Sequence, residues 1–279
     1  MTRHSRSWAA IAGALSLCMS VSVGHAGSVT QPGETIGIAA GAPLPPGVYF
    51  VNTYDYGHRD GVDTFVGVDI PVVAWSTPWT IFGARVQFLV ATPAIEVGVP
   101  HSNFNVGIYN PFLAGQLAWD LGNGFGVSYA LGAYLEVDTS VSFHDTSLNQ
   151  RFAASYTANG WNLTANLIWG VHSNGVTDTI NPDFLNLDLT ATKKFGKFEL
   201  GPVAFGSTDL NTPIAGYLRQ SQFAIGGLFG YDFGPVIMQT YLTTDVAEHN
   251  YGGHDTRGWF RLIIPVWTPP PPPKPMFTK

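Results

Sequence analysis

The fold is decided by Asn159-Gly160-Trp161-Asn162-Leu163-Thr164-Ala165-Asn166-Leu167-Ile168-Trp169-Gly170-Val171-His172. After the Asn-Gly turn, Trp161, Leu163, Ala165, Leu167, Trp169 and Val171 share one face. Asn162, Thr164, Asn166, Gly170 and His172 share the other, with Ile168 the exception. A period of two belongs to a β-strand, whose successive side chains point to opposite faces. The next run repeats it: Leu185, Leu187, Leu189 and Ala191 oppose Asn186, Asp188, Thr190 and Thr192. Upstream, Val127, Tyr129, Leu131, Ala133 and Leu135 oppose Gly126, Ser128, Ala130, Gly132 and Glu136. Such faces suit a soluble barrel turned one way or a membrane barrel turned the other, and composition chooses between them. Only 11% of the 279 residues are charged, against roughly 25% in a typical soluble domain. That is too little charge to clothe a polar exterior. The apolar faces therefore belong to lipid and the polar or small faces to a lumen.

Working outward, short Gly-centred turns alternate with longer polar loops. The turns are Thr77-Pro78, Gly122-Asn123-Gly124, Asn159-Gly160, Gly196-Lys197 and Gly234-Pro235; the loops are 57–62, 94–103, 138–149, 173–182, 208–220 and 247–256. Between them lie twelve segments of strand length: 48–56, 63–76, 80–93, 104–120, 125–137, 150–158, 161–172, 183–194, 198–207, 220–232, 236–246 and 257–267. Short turns on one side and long loops on the other mark an outer-membrane barrel, and an even strand number leaves both ends in the periplasm. The expected fold is all-β, a transmembrane antiparallel up-and-down barrel of twelve strands over residues 47–267. Trp119, Phe125, Trp161, Phe195, Phe198 and Phe233 flank the short turns, as an interfacial aromatic girdle requires. Pro71, Pro111, Pro202 and Pro265 fall inside strands and predict bulges, because proline removes a ladder hydrogen bond.

The ends read differently. Residues 1–26 have the form of a secretory signal: Arg3 and Arg6, then apolar Ala9 to Val23, then Gly24-His25-Ala26, which predicts Gly27 as the mature N-terminus. The single cysteine, Cys18, lies in this segment. The mature chain then offers neither disulfides nor thiolate ligands. Residues 27–46 are rich in Gly, Pro and Ala without period and read as a periplasmic lead-in. Residues 268–279, with Pro269 to Pro273 in a row, read as an extended periplasmic tail.

Leu44-Pro45-Pro46-Gly47-Val48-Tyr49-Phe50 resembles the opening of a bacterial family described as a putative meta-pathway of phenol degradation. The resemblance continues through Val72-Val73-Ala74-Trp75, Gly107 to Gly115, Gly160 to Asn166 and Gly226 to Gly234, and closes at Trp259-Phe260-Arg261-Leu262-Ile263-Ile264-Pro265. Where that family carries a Gly-rich, Asp-bearing segment, Ser102-Asn103-Phe104-Asn105 stands here. The resemblance implies a transporter-like outer-membrane barrel and uptake of hydrophobic or aromatic compounds.

Strand parity turns Asp69, Arg85, Gln87, Gln116, Asp188, Lys194, Gln222, Gln239, Asp245 and Arg261 toward the lumen. A cation facing lipid near the midplane would cost about 2–4 kcal/mol. Arg85 and Arg261 near Asp69 would form a cross-lumen network or line a pathway. Small inward residues in 125–136 and 220–232, with Trp75 and Tyr241, would leave room for a small apolar solute. Among possible chemistries, His144-Asp145 with Ser142 or Ser147 is the tightest local group, and His249, His254 and Asp255 could be drawn as metal ligands. Both sets read as polar loop, so no catalytic residue, cofactor or metal is expected. The net charge of −6 with no basic cluster gives no reason to expect nucleic acid. The expected function is passive uptake of small hydrophobic or aromatic compounds across a Gram-negative outer membrane. The expected partners are outer-membrane lipid, that solute and the barrel-assembly machinery. A structural or adhesive barrel with a plugged lumen and a lipid-modifying barrel enzyme are the alternatives.

Overall fold

The computed structural model describes residues 27–99, 104–173 and 181–270. Its strands are β1 (Gly47–Arg59), β2 (Thr64–Ile81), β3 (Ala84–Ala91), β4 (Ala94–Gly98), β5 (Asn105–Ile108), β6 (Phe112–Gly122), β7 (Phe125–Tyr134), β8 (Ser147–Tyr156), β9 (Trp161–His172), β10 (Phe184–Phe195), β11 (Phe198–Asp209), β12 (Ser221–Asp232), β13 (Ile237–His249) and β14 (Asp255–Trp267). All pairings are antiparallel. β1 pairs with β14 on one side and β2 on the other, which closes the sheet. The long β2 pairs with β3 along Val72–Ile81 and with β4 along Phe65–Asp69. β3 and β4 together make one stave of the wall, broken at Thr92-Pro93. β5 and β6 make another, broken at Tyr109-Asn110-Pro111. The result is a closed barrel of twelve staves, and closure covers the sheet edges except along β5, which is laddered only to β4.

The prolines mark where the wall departs from regularity. Pro111 sits in the β5–β6 break, and Pro71 lies where β2 changes partner from β3 to β4. The β10–β11 register is interrupted between Thr190↔Val203 and Lys193↔Leu200, beside Pro202. A register shift at Val48/Tyr49 faces Pro265. Thr77-Pro78 is not the turn expected from its sequence. β2 runs past it, the register to β3 shifts between Ser76 and Thr80, and the chain reverses at Phe82-Gly83 with φ 52° and 79°. Two consecutive left-handed residues make the tight turn that matches strand twist. The other short turns hold as read, with positive φ at Gly122, Asn123, Gly124, Asn159, Gly160, Gly196 and Gly234. The long loop expected at 94–103 instead begins with β4.

Residues 27–46 are not a periplasmic lead-in. They pass through the barrel as a chain of tight turns, with Glu34 N–H to Gln31 O, Ile36 N–H to Gly33 O and Ile38 N–H to Thr35 O at 3.1–3.2 Å. Gly27 lies at the long-loop end, in contact with Asp209 and His172; Leu44, at the other end, accepts from Ser76 Oγ. We call this segment the plug. Its side chains complete two apolar clusters. Val29 joins Val66, Val68, Ile70, Ile95, Val97, Tyr109, Phe112, Tyr134, Ile168 and Phe184. Ile36 joins Val203, Phe205, Ala224, Leu228, Tyr241 and Trp259. The small inward residues of β7 serve this segment: a Cβ on Gly126 would lie 2.8 Å from Gly41 O and 2.9 Å from Ala42 Cα. The space expected for a solute is occupied by the plug.

The packing is tight enough to be tested by one methyl group. The Phe184 ring lies over Gly170 on the neighbouring strand, and a Cβ at 170 would come within 2.0 Å of it. Phe184 is fully buried, so the ring has nowhere cheap to go. Gly170→Ala should lower stability by about 1–3 kcal/mol, the usual range for overpacking. It would be read as an earlier urea midpoint in detergent; an unchanged midpoint would show that the strand shifts freely.

Candidate functional site

The lumen is the site. Four asparagines on neighbouring strands are its main fasteners for the plug. Asn149 Nδ2 donates to Thr30 Oγ1 at 3.0 Å, Asn162 Nδ2 to Gly37 O at 3.0 Å, and Asn166 Nδ2 to Thr35 Oγ1 at 3.0 Å. Asn186 Nδ2 reaches Ser28 Oγ at 2.8 Å and Thr30 O at 3.2 Å. Period-two alternation puts all four on the inner face. The sequence pattern already turns Asn162, Asn166 and Asn186 toward the lumen, whereas Asn149 falls in the expected 138–149 loop and belongs to β8.

Of the residues expected in the lumen, Asp188 and Arg261 carry the plug. Asp188 accepts Gly33 N–H at 2.9 Å, Thr35 N–H at 3.0 Å and Thr35 Oγ1–H at 2.6 Å. Arg261 is fully buried and donates to the carbonyls of Ile36 and Glu34, to Thr53 Oγ1 at 2.8 Å, to Tyr241 OH at 3.0 Å and to Gln239 Oε1 at 3.2 Å. Gln239 in turn donates to Gly37 O and to Glu199, and Tyr241 OH to Gly33 O. Gln116 reaches Ala40 O at 3.4 Å and Gln87 Oε1 at 2.9 Å. Glu34 of the plug pairs with Arg151 at 2.8 Å, a cation not singled out in the sequence. Buried polar groups need partners to be tolerated. Here the plug backbone supplies them, so plug and wall satisfy each other.

The remaining expected lumen residues scatter. Gln222 and Asp245 are buried on the inner face, and Asp245 accepts Asp255 N–H at 2.9 Å. Arg85 sits near the short-turn end and donates to Thr77 O at 3.1 Å. Lys194 is exposed at the same end. Asp69 is a correction. It opposes Tyr54 on the outer face, where Asn52 Nδ2 donates to it at 2.9 Å, away from Arg85 and Arg261. The cause is that β2 turns its apolar residues Val66, Val68 and Ile70 inward onto Val29. Its polarity is therefore reversed relative to β9. Glu96 lies on the same outer side and accepts from Tyr54 OH at 2.8 Å. Trp75 is likewise outward, packed on Trp79 and Phe88, and does not line the lumen. Phe125, Trp161, Phe195, Phe198 and Phe233 stand exposed at strand ends beside the short turns, and Trp119 Nε1 donates to Phe82 O there.

The polar-loop groups also rearrange. Asp145 pairs not with His144 but with His172, whose Nδ1 lies 2.9 Å from its carboxylate. Ser142 Oγ donates to Val137 O at 2.6 Å, a loop-shaping bond. His254 Nδ1 sits on Asp245 O, and Asp255 pairs with Arg257 at 2.8 Å. Arg257 also pairs with Asp55. Among the described residues no cluster of His, Cys, Asp and Glu has metal-holding geometry.

Two further features mark the interior and the wall. Along the axis, two cavities beside the plug measure about 20 Å³ each, room for roughly one water apiece. In the wall, β5 is laddered to β4 alone. Its other side meets residues 135–146 through side chains rather than strand pairing: Thr139 Oγ1 to Ile108 O, Asn105 Nδ2 to Ser140 O and, above all, Asn110. The Asn110 amide nitrogen faces the carbonyls of Leu135, Phe143 and Asp145 at 3.0, 2.8 and 3.3 Å, and its oxygen accepts Phe143 N–H at 2.8 Å. Behind this seam stand Tyr109, Phe112, Tyr134 and Phe143, the aromatic end of the first apolar cluster.

The family described as "Putative MetA-pathway of phenol degradation" matches residues 36–262. An outer-membrane channel of Pseudomonas putida F1 superposes with a TM-score of 0.59 at 14% identity, covering 84% of this chain and 99% of that one. The β domain of the Bordetella autotransporter Brka superposes with a TM-score of 0.50 at 11% identity, covering 78% of this chain and 99% of that one. At such identities the likeness is one of fold. No curated protein matches the chain.

Proposed function

The chain belongs to this phenol-degradation family, and on that premise we propose that it is an outer-membrane channel for passive uptake of small hydrophobic or aromatic compounds. The observation that carries this reading is the pairing of a filled axis with a wall seam backed by aromatic side chains. A hydrophilic solute needs a continuous wet path, and the plug network occupies that path. An apolar solute needs only an apolar surface and a gap between wall segments. Tyr109, Phe112, Tyr134 and Phe143 supply the surface, and the junction of β5 with 135–146, held by side chains rather than by a ladder, is where the wall would part. The solute is taken at the long-loop side, held by the aromatics, and released laterally rather than down the axis. The family's description, which names phenol degradation, supports the same substrate class. No cofactor is invoked.

The dense plug favours a second reading, a structural or adhesive barrel that passes nothing. Flux separates the two. Proteoliposomes bearing the folded, heat-modifiable barrel should admit phenol-like aromatics in a saturable, competable way and exclude sugars of similar size. Flux no greater than that of empty liposomes for every solute would overturn the channel reading in favour of the structural one.

A further inference from the structure

We infer that the α-ammonium group released by signal cleavage is itself a structural ligand, held by the carboxylate of Asp209 at the long-loop mouth of the lumen. The inference takes Gly27 as the first mature residue and is independent of the solute. Gly27 N lies 2.8 Å from Asp209 Oδ1. Its carbonyl oxygen accepts from His172 Nε2 at 2.7 Å, and the other ring nitrogen of His172 is held by Asp145. The residue is clamped at both ends. It is also clamped around its α-carbon, because a Cβ at position 27 would lie 2.1 Å from Pro182 Cγ and 2.6 Å from Pro182 Cδ. The pocket admits glycine and nothing larger.

The receptor is a carboxylate in want of a cation. Asp209 is 3% exposed. Its second oxygen takes Tyr217 OH at 2.6 Å and Gln220 N–H at 2.8 Å, both neutral donors. Among the described residues no Lys, Arg or His side chain pairs with it. A buried carboxylate is costly unless a positive charge and good hydrogen bonds compensate it. Burial and the adjoining Asp209 push the Tyr217 phenol up, so it remains a neutral donor. In the precursor the Gly27 nitrogen is an amide carrying one hydrogen and no charge. Hydrolysis of the Ala26–Gly27 bond consumes one water, leaves the carboxylate on Ala26 and the amine on Gly27, and that amine takes a proton below its usual value near 8. The same nitrogen, in the same place, then carries a full positive charge against the carboxylate, so a hydrogen bond with one ionised partner becomes one with two. Cleavage thus does more than free the chain from its signal: it creates the group that seats the plug.

The test uses the full chain secreted to the outer membrane and purified folded. Intact mass and N-terminal sequencing should place the first residue at Gly27; any other start overturns the inference. The purified barrel is then acylated at neutral pH with an amine-reactive ester, with exposed Lys197 as the internal reference. The α-amine should react at least about tenfold more slowly in the folded protein than in Asp209→Asn, one decade for each pKa unit of stabilisation. Inserting one alanine between Ala26 and Gly27 leaves the wall untouched but moves the charge one residue outward. It should also abolish protection, and it keeps the question answerable should Asp209→Asn fail to assemble. Equal reaction rates in the parent and the insertion variant would overturn the inference.

Discussion

Arg261→Met should release the plug and raise single-channel ion conductance several-fold. The side chain is fully buried and spans the interface, with two plug carbonyls and three wall groups as partners. Methionine keeps the bulk and removes every donor. The carbonyls of Glu34 and Ile36 and the amide oxygen of Gln239 then lose this donor in the interior. Each buried carbonyl left without a donor costs about 1–3 kcal/mol, so the two plug carbonyls together shift the docking equilibrium by roughly 30-fold or more. Limited proteolysis should begin to cut within 27–46, while the strand wall still shows heat-modifiable migration. Arg261→Lys, which retains charge but not the planar fork, should fall between the two. Conductance and protease resistance that both match the parent would mean that the asparagine set and Asp188 hold the plug without Arg261.

Asn110→Ala should act on the other path. The amide is the densest stitch between the β5–β6 stave and residues 135–146, and alanine leaves three carbonyls and the Phe143 N–H without it. Each buried group left unmade costs about 1–3 kcal/mol. The bond from Leu135 N–H to Pro111 O at 2.8 Å remains, so the segment loosens rather than unfolds. Saturable flux of aromatic solute should rise by about tenfold, the equivalent of 1.4 kcal/mol, while ion conductance stays at the parent level because the plug bonds are untouched. Together the two variants form a dissociation: Arg261→Met moves ions and Asn110→Ala moves apolar solute. If Asn110→Ala raises conductance instead, the seam is not a separate route.

The strands were readable because a barrel wall imposes period two on the sequence with little interference. Trp161 to His172 alternates cleanly because one side meets lipid and the other a polar plug. β2 misled for a physical reason. Its inner residues Val66, Val68 and Ile70 meet Val29 rather than polar backbone, so the rule that polar means inward inverted there and misplaced Asp69. The turn at Phe82-Gly83 carries no Asn or Pro, whereas Thr77-Pro78 looks like a turn and is a bulge. The plug was hidden because a chain of turns has no period, and its partners lie up to 227 residues away in sequence. A hint was present nonetheless. The inner faces of β8, β9 and β10 carry Asn149, Asn162, Asn166 and Asn186, more fixed hydrogen-bonding groups than an empty wet lumen would order. The small residues Gly126 and Ser128 lie opposite Gly41 and Ala40.

The path of residues 27–46 through a closed ring also constrains how the protein is made. The ring closes by pairing β1 with β14, Val48 with Trp267 at one end and Arg59 with Asp255 at the other. These partners are among the most distant in the chain, and contacts of such long range form slowly. The segment that fills the ring is translated before any strand. Threading it afterwards through a finished hoop would drag Glu34 and the polar backbone of the segment past Val29's apolar neighbours. Closing the last strand pair around a segment already lying on the growing sheet avoids that barrier. Residues 27–46 thus act as a former around which the last strand pair, β1 with β14, is closed.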